Sequence, residues 1–327
     1  MFAELIDRRH HTGNVRAMSY ARQLPEATRM RAEAMGDDGS RWIAALDASM
    51  AHLEETWVAR FGTVLRGGSE SLVAEATLAD GREAVVKVGL PAYGDLSGEA
   101  RVYALAGGRG YAELLAWDRS VNALLLERLG APLRDAFATT EAQLAALCRT
   151  LEDAWVTVPD AQGLMTGAEK ARWLKDFIEE KWSALGRPCD RATRDRALSF
   201  AEEREEAFTP ANAVLVHGDA HAENALLAPS LAGGRFKFVD PDGLHAEKAC
   251  DLAVPMREWS TELLAGDTGR LARERCEMLA AATAVDATAI WQWGYMERVS
   301  TGLTMLDIGM REEGLESLAV AERIRRS

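Results

Sequence analysis

A change in the spacing of apolar residues near Gly130 constrains the fold of this chain more than any other sequence feature. Between positions 61 and 90 apolar and polar residues alternate, and Asp80-Gly81 is a typical two-residue hairpin turn. After Gly130 apolar residues recur at steps of three and four, which is the spacing of amphipathic helices. The chain is therefore expected to join an antiparallel sheet to a larger helical part.

We predict an α+β, two-lobed arrangement, with a small N-terminal lobe over residues 1–129 and a large helical lobe over residues 130–327. The small lobe begins with a helical lead-in and contains one inserted helix over residues 99–106. Its five antiparallel strands are predicted over residues 61–65, 72–78, 82–90, 114–118 and 121–129. The large lobe is predicted to contain a short β island over residues 213–216, 225–227 and 236–239.

The charge balance narrows the choice of partners. With 38 basic and 51 acidic residues the formal net charge is −13 at pH 7, which disfavours nucleic acid and anionic lipid and favours a cationic small molecule. No apolar run approaches the roughly 18 residues of a membrane helix. Charges of both signs near the start argue against a signal peptide, and four scattered cysteines without a CxxC motif are expected to be reduced thiols. These features predict a cytoplasmic protein; they do not indicate its oligomeric state.

The residues best suited to chemistry lie in two loops that each follow a short apolar strand. The first reads His217-Gly-Asp219-Ala-His221-Ala-Glu-Asn224, and the second strand ends at Asp240. We expect the two loops to lie side by side. This set suits phosphoryl transfer, in which Asp219 accepts the proton of an attacking hydroxyl. Asn224 and Asp240 then hold a Mg²⁺ ion that bridges the phosphates of ATP.

These two loops resemble the catalytic and metal loops of the protein-kinase fold, and the chain is similar to the aminoglycoside phosphotransferase family. The family's catalytic loop typically reads HGDLHxxN, and here Ala220 replaces the leucine. The runs at 78–81, 85–87, 123–129 and 251–259 resemble the streptomycin 6-phosphotransferase and hydroxyurea kinase branch. The chain departs from the family at Ala246-Glu247-Lys248, where many relatives carry Gly-Asp-Pro. The resemblance covers roughly residues 60–259 and implies a protein-kinase-like two-lobed fold.

The resemblance also implies roles for individual residues. Lys87 would contact the nucleotide phosphates with Glu99 as its ion-pair partner, and the apolar strand around Lys87 independently requires a nearby anion. The other implied nucleotide contacts are the turn of Gly67, Gly68 and Ser69 over the phosphates, and the backbone of Glu127 and Leu129 beside the adenine. Supporting roles fall to His217, His221 and Asp251, which would hold the catalytic loop. Candidate substrate contacts are Glu258 and Trp259.

The favoured function is ATP-dependent phosphorylation of a small hydroxylated antibiotic, with streptomycin or a related aminoglycoside as the leading acceptor. Hydroxyurea or a peptide antibiotic is the alternative acceptor. A metal-dependent hydrolase could instead use His217, His221, Asp219 and Asp240 as ligands. A silent nucleotide-binding module would keep Lys87 and Asp240 without transferring phosphate.

Overall fold

The computed structural model describes residues 19–65, 70–91 and 95–326. The described part of the chain starts with three helices, and these lead into a sheet in which one further helix is described. The helices are α1 (Tyr20–Gln23), α2 (Glu26–Ala34), α3 (Asp37–Trp57) and α4 (Ser97–Ala106). The strands are β1 (Ala59–Val64), β2 (Ser71–Leu78), β3 (Glu83–Gly89), β4 (Leu114–Asp118) and β5 (Ala123–Glu127).

The five strands form one antiparallel sheet in the order β1-β2-β3-β5-β4. This confirms the predicted antiparallel sheet, and among the described residues α4 is the one helix inserted into it. Successive side chains of β3 point to opposite faces, so Val86 and Val88 are buried on one face and Lys87 lies on the other. The helices α1 and α3 cover the first face. The buried cluster there includes Leu46, Met50 and Leu53 of α3.

The rest of the chain is mainly helical. Its helices are α5 (Leu133–Ala136), α6 (Thr140–Ala154), α7 (Gly167–Ala184), α8 (Arg191–Ala207), α9 (Ala249–Arg257), α10 (Ser260–Ala265), α11 (Thr268–Thr283), α12 (Ala287–Asp307) and α13 (Arg311–Arg326). A 3₁₀ turn spans Pro210–Asn212. The largely buried α12 packs against α9, and this pair forms the centre of the helical part.

Two small β elements interrupt the helices. The strands are β6 (Met165–Thr166), β7 (Val214–Val216), β8 (Ala225–Leu227), β9 (Phe236–Phe238) and β10 (Leu244–Ala246). β8 and β9 form a hairpin, and β10 pairs with both β6 and β7. The hairpin and β7 match the predicted β island, whereas β6 and β10 were not anticipated. Because β8 and β9 pair, the loop before β8 and the loop after β9 lie next to each other.

The inserted helix α4 does not belong to the small lobe alone. Its Val102 and Tyr103 join the large hydrophobic cluster that also contains the helical part. The lobe boundary at residues 129 and 130 therefore stays a prediction.

Two further sequence predictions concern helices and cysteines. Among the described residues, no helix is long and apolar enough to cross a membrane. The four cysteines, all of which the structure describes, are buried free thiols: Cys148, Cys189, Cys250 and Cys276.

The cover of α3 over the sheet predicts a stability difference between two methionines. Met50→Ala in α3 should lower the free energy of unfolding by about 2–5 kcal/mol, because it leaves a cavity against the sheet. The matched change Met30→Ala in α2, where the side chain is 62% exposed, should cost less than about 0.5 kcal/mol. Urea denaturation of both variants measures this, and equal losses would contradict the role of α3.

Candidate active site

Lys87 lies between two carboxylates that come from distant parts of the chain. Its Nζ is 2.6 Å from Oε2 of Glu99 on α4 and 2.7 Å from Oδ1 of Asp240 after β9. Only 12% of the Lys87 side chain is exposed. Burial alone would lower the pKa of Lys87, but the two carboxylates outweigh it and raise that pKa. Two carboxylates, those of Glu99 and Asp240, thus lie where the sequence predicted a nearby anion.

Tyr103 connects the two carboxylates. Its hydroxyl donates a hydrogen bond to Oε1 of Glu99 at 3.0 Å and accepts one from the backbone N–H of Asp240 at 3.2 Å. Tyr103 follows Glu99 by four residues and so lies on the same face of α4. Sequence reasoning missed Tyr103, although this spacing was a usable signal.

The backbone of the loop after β7 is held by Asp251 of α9. One carboxylate oxygen accepts the N–H of His217 and the indole N–H of Trp155, each at 3.0 Å. The other oxygen accepts the N–H of Gly218 at 2.8 Å. Asp251 is fully buried, and burial raises the pKa of its carboxyl while the three hydrogen bonds oppose that shift. Because these donors are buried as well, the loop and α9 depend on each other.

The ring of His217 connects the two loops. Its Nδ1 accepts the N–H of Asp219 at 3.1 Å, so the proton must be on Nε2, which donates to the carbonyl of Val239 at 2.9 Å. The ring stacks on Tyr111 with the planes 6° apart. Gly218 adopts φ +89°, a conformation that allows the sharp turn between His217 and Asp219.

Asp219 has a cation or an imidazole at each carboxylate oxygen. Oδ1 pairs with the guanidinium of Arg257, and Oδ2 is 3.4 Å from Nε2 of His221. Burial opposes the charge on Asp219, but His221 and Arg257 outweigh it and hold the pKa of the carboxyl well below its usual range. Burial also opposes a charge on His221, yet Asp219 raises the pKa of that imidazole. Asp219 is thus an ionised carboxylate.

Asn224 brings the end of the first loop to the second. Its side-chain amide donates to the carbonyl of Asp219 at 3.1 Å, and its backbone carbonyl accepts the N–H of Val239 at 2.9 Å. The next residue, Asp240, has a side chain that is 54% exposed and a left-handed φ of +55°. A strained, exposed carboxylate beside a catalytic loop is typical of functional positions.

Glu127 of the predicted adenine connector makes two polar contacts. The carboxylate of Glu127 accepts a hydrogen bond from Nζ of Lys237 at 2.5 Å, and its N–H donates to the carbonyl of Glu113 at 3.0 Å. The role of the Glu127 and Leu129 backbone beside the adenine stays a prediction. Gly67, Gly68 and Ser69 lie outside the described residues.

Glu258 and Trp259 follow α9 directly. Oε2 of Glu258 accepts from Arg134 at 2.8 Å, and Arg134 also pairs with Glu223 of the catalytic loop at 3.0 Å. Trp259 is partly buried beneath the guanidinium of Arg275, 5.1 Å from its ring centre. Glu258 therefore lies near the catalytic loop, whereas Trp259 is largely engaged in packing.

Glu247, where the chain departs from the family pattern, has a structural contact. Its Oε1 accepts the indole N–H of Trp293 at 2.8 Å. This bond ties the segment before α9 to α12.

The hydrolase alternative receives no support from the geometry. Within residues 19–65, 70–91 and 95–326, no three His, Cys, Asp or Glu side chains gather as a metal-binding group. His217 instead hydrogen-bonds to the backbone of Asp219 and of Val239, and His221 pairs with Asp219.

The contacts of Asp251 predict that its charge matters more than its shape. Asp251→Asn keeps the size but places an amide N–H₂ among three N–H donors, so it should lower the free energy of unfolding by about 2–4 kcal/mol. The control Asp267→Asn, at the exposed N-cap of α11, should change it by less than about 0.5 kcal/mol because Asn caps equally well. Denaturant titration checks both, and a neutral Asp251→Asn would contradict the anchoring role.

Comparison with known proteins agrees with this geometry. Streptomycin 6-kinase of Streptomyces griseus is 27% identical over 88% of this chain and 92% of its own length. Hydroxyurea phosphotransferase of Kitasatospora aureofaciens is 31% identical over 73% of this chain and 71% of its own.

Solved structures support the fold. A choline kinase from Streptococcus pneumoniae superposes with a TM-score of 0.58 at 12% identity, covering 86% of this chain and 99% of its own. Spectinomycin phosphotransferase, solved with ADP and spectinomycin, gives 0.51 at 14% identity and covers 85% of this chain and 96% of its own. At such identities the likeness shows the fold alone, which is the protein-kinase-like, two-lobed fold.

The family described as aminoglycoside/hydroxyurea antibiotic resistance kinase matches residues 56–309, which is most of the chain. The chain belongs to this family and is a phosphotransferase that acts on a hydroxyl group of a small molecule.

Proposed function

We propose that the chain transfers the terminal phosphoryl group of ATP to a hydroxyl of streptomycin or a related aminoglycoside. The substrate assignment is supported by the similarity to two streptomycin 6-kinases, each covering about nine tenths of this chain. The product pair is ADP and a phosphate ester. Because the reaction consumes ATP, we place the protein in the cytoplasm.

One observation carries the nucleotide assignment. Nζ of Lys87 sits between the carboxylates of Glu99 and Asp240, at the junction of the sheet and the loop after β9. Glu99 fixes the ammonium from the buried side. Asp240 is the exposed partner, so a nucleotide phosphate could replace it at Lys87, and the Asp240 carboxylate would then be available to hold a metal ion.

The residues present fit a Mg²⁺ ion. The amide nitrogen of Asn224 is bound to the carbonyl of Asp219, which leaves the amide oxygen as the atom available to a cation. Asp240 adds an anionic oxygen, and hard oxygen ligands are those that Mg²⁺ prefers. When bound, the ion neutralises charge on the phosphates. Asn224 and Asp240 are the residues that would hold it.

Asp219 is assigned as the group that accepts the hydroxyl proton. It is ionised, and its loop is tied to the strand that carries Asp240 through the bond from His217 to Val239. The acceptor hydroxyl gives its proton to a carboxylate oxygen of Asp219 as the hydroxyl oxygen attacks the γ-phosphorus of ATP, and the bond from that phosphorus to the bridging oxygen breaks, so that ADP leaves. His221 stays beside the other oxygen and orients the carboxylate.

The electrostatics around Asp219 support a cationic acceptor. Asp242 lies beside Gly218 of the loop, and burial together with the charge of Asp219 raises the pKa of the Asp242 carboxyl. Glu258 adds a further acid near the loop. A guanidinium- or ammonium-bearing compound would be attracted to this surface. Hydroxyurea is the second candidate acceptor, because its phosphotransferase is the relative with 31% identity.

The test is an acceptor screen with purified protein, ATP and Mg²⁺. ADP release should depend on streptomycin or a related aminoglycoside, and mass spectrometry should find one added phosphoryl group. Release with hydroxyurea alone would support the second acceptor. If no tested compound increased the release of ADP, the proposal would be contradicted.

The role of Asp219 gives a further prediction. Asp219→Asn should lower kcat by about 10²-fold or more, while ATP binding measured by calorimetry is retained. Asp267→Asn, a surface change of the same kind, should leave kcat unaltered. A fully active Asp219→Asn enzyme would remove Asp219 from the mechanism.

A further inference from the structure

The guanidinium of Arg257 connects Asp219 to a second, deeply buried acid. One terminal nitrogen pairs with Oδ1 of Asp219, and the other donates to Oε2 of Glu297 on α12 at 2.9 Å. The Arg257 side chain is 18% exposed and that of Glu297 only 6%. From these contacts we infer that Arg257 is a positioning residue that fixes the carboxylate of Asp219 for proton transfer. The inference rests on the proposed role of Asp219.

Glu297 gives Arg257 a fixed orientation. A second cation, Lys170 of α7, lies 3.4 Å from the other oxygen of Glu297. The four groups therefore contain two carboxylates and two cations, so their charges balance. Such balance is needed because an unpaired charge at this depth would be costly. Arg257 cannot turn away from Asp219 without giving up its bond to Glu297 or leaving Asp219 unpaired on that side.

The position of Arg257 on α9 explains why it can orient a catalytic group. Asp251, six residues earlier on the same helix, holds the backbone of the loop, and Arg257 holds the side chain that this loop presents. One helix thus contacts both the backbone of the loop and the side chain of Asp219.

The end of α9 is itself anchored by a buried arginine. Arg298 of α12 donates to the carbonyl of Met256 at 2.7 Å and to that of Glu258 at 3.0 Å. These bonds satisfy carbonyls that a helix end leaves without partners. Arg257 therefore starts from a backbone that α12 holds in place.

The choice of arginine is significant. A planar guanidinium can bind two carboxylates at once with its separate terminal nitrogens, whereas a lysine ammonium is a single point charge on a flexible stem. A displacement of about 1 Å in a reacting group can lower a rate by about 10²-fold. Arg257 contacts one carboxylate oxygen of Asp219 and His221 contacts the other, and these two contacts limit such displacement.

Kinetics of three variants test the inference against the wild type. Arg257→Ala should lower kcat by about 10–10²-fold with little change in the KM for ATP, because Arg257 acts on Asp219 and not on the nucleotide. Arg257→Lys should recover only part of kcat, and guanidinium ion added to Arg257→Ala should restore some activity. The matched control is Arg194→Ala, a similarly buried arginine of α8 paired with Glu179 and Asp195. It should keep the wild-type kcat.

A second test, by crystallography, does not require the acceptor substrate to be known. In crystals of Arg257→Ala the Asp219 side chain should leave its wild-type rotamer or occupy several, and if that variant fails to fold, Arg257→Lys is used for the same measurement. A wild type that phosphorylates no acceptor defeats the proposed function and leaves this test decisive. An unmoved Asp219 carboxylate, a kcat within about twofold of the Arg194→Ala control, or a rise confined to the KM for ATP would each overturn the inference.

Discussion

The whole site depends on one ammonium group that is nearly withdrawn from water. Burying Lys87 is costly unless anions meet it at hydrogen-bond distance, and the chain supplies one from α4 and one from the loop after β9. The ion pair with Asp240 thereby connects the sheet to the helical part. Tyr103 strengthens the same connection without adding charge, because its hydroxyl hydrogen-bonds to both Glu99 and the backbone of Asp240. In the proposed reaction, the ion pair between Lys87 and Asp240, which connects the sheet to the helical part, is also the contact that a nucleotide phosphate would replace.

Local patterns predicted much of this arrangement. The five strands of the main sheet lie within two residues of their predicted ends, because alternation of apolar side chains and the Asp80-Gly81 turn are encoded by neighbours in sequence. The cost of burial alone predicted that an anion lies near Lys87, whereas the choice of Glu99 as that anion came from the family resemblance. The strands β6 and β10 were not predicted, because two or three residues are too few to show a period and because their pairing depends on residues far along the chain. Arg257 escaped for a related reason, since its contact with Asp219 depends on how α9 packs against α12.

The catalytic loop illustrates why a matching motif is not sufficient. His217 and Asp219 are recognisable in sequence, but their orientations are set by groups outside the motif: Asp251 at the backbone, Val239 at the imidazole and Arg257 at the carboxylate. Most of these contacts are buried, where an unpaired donor is expensive, so the loop has little freedom once α9 is in place.

The charges of the site resolve an apparent conflict in the composition. A chain with a net charge of −13 should repel ATP as it repels nucleic acid, so long-range attraction cannot account for nucleotide binding. Local groups must do so: the Lys87 ammonium, whose pKa is raised by its partners, and the oxygens of Asn224 and Asp240, which are proposed to hold a divalent cation. In the proposed reaction, the acids beside Asp219 would attract a cationic acceptor even after a bound metal ion had neutralised charge on the phosphates. The acidic balance that disfavours nucleic acid would therefore suit the proposed reaction, in which ATP is anionic and the acceptor is cationic.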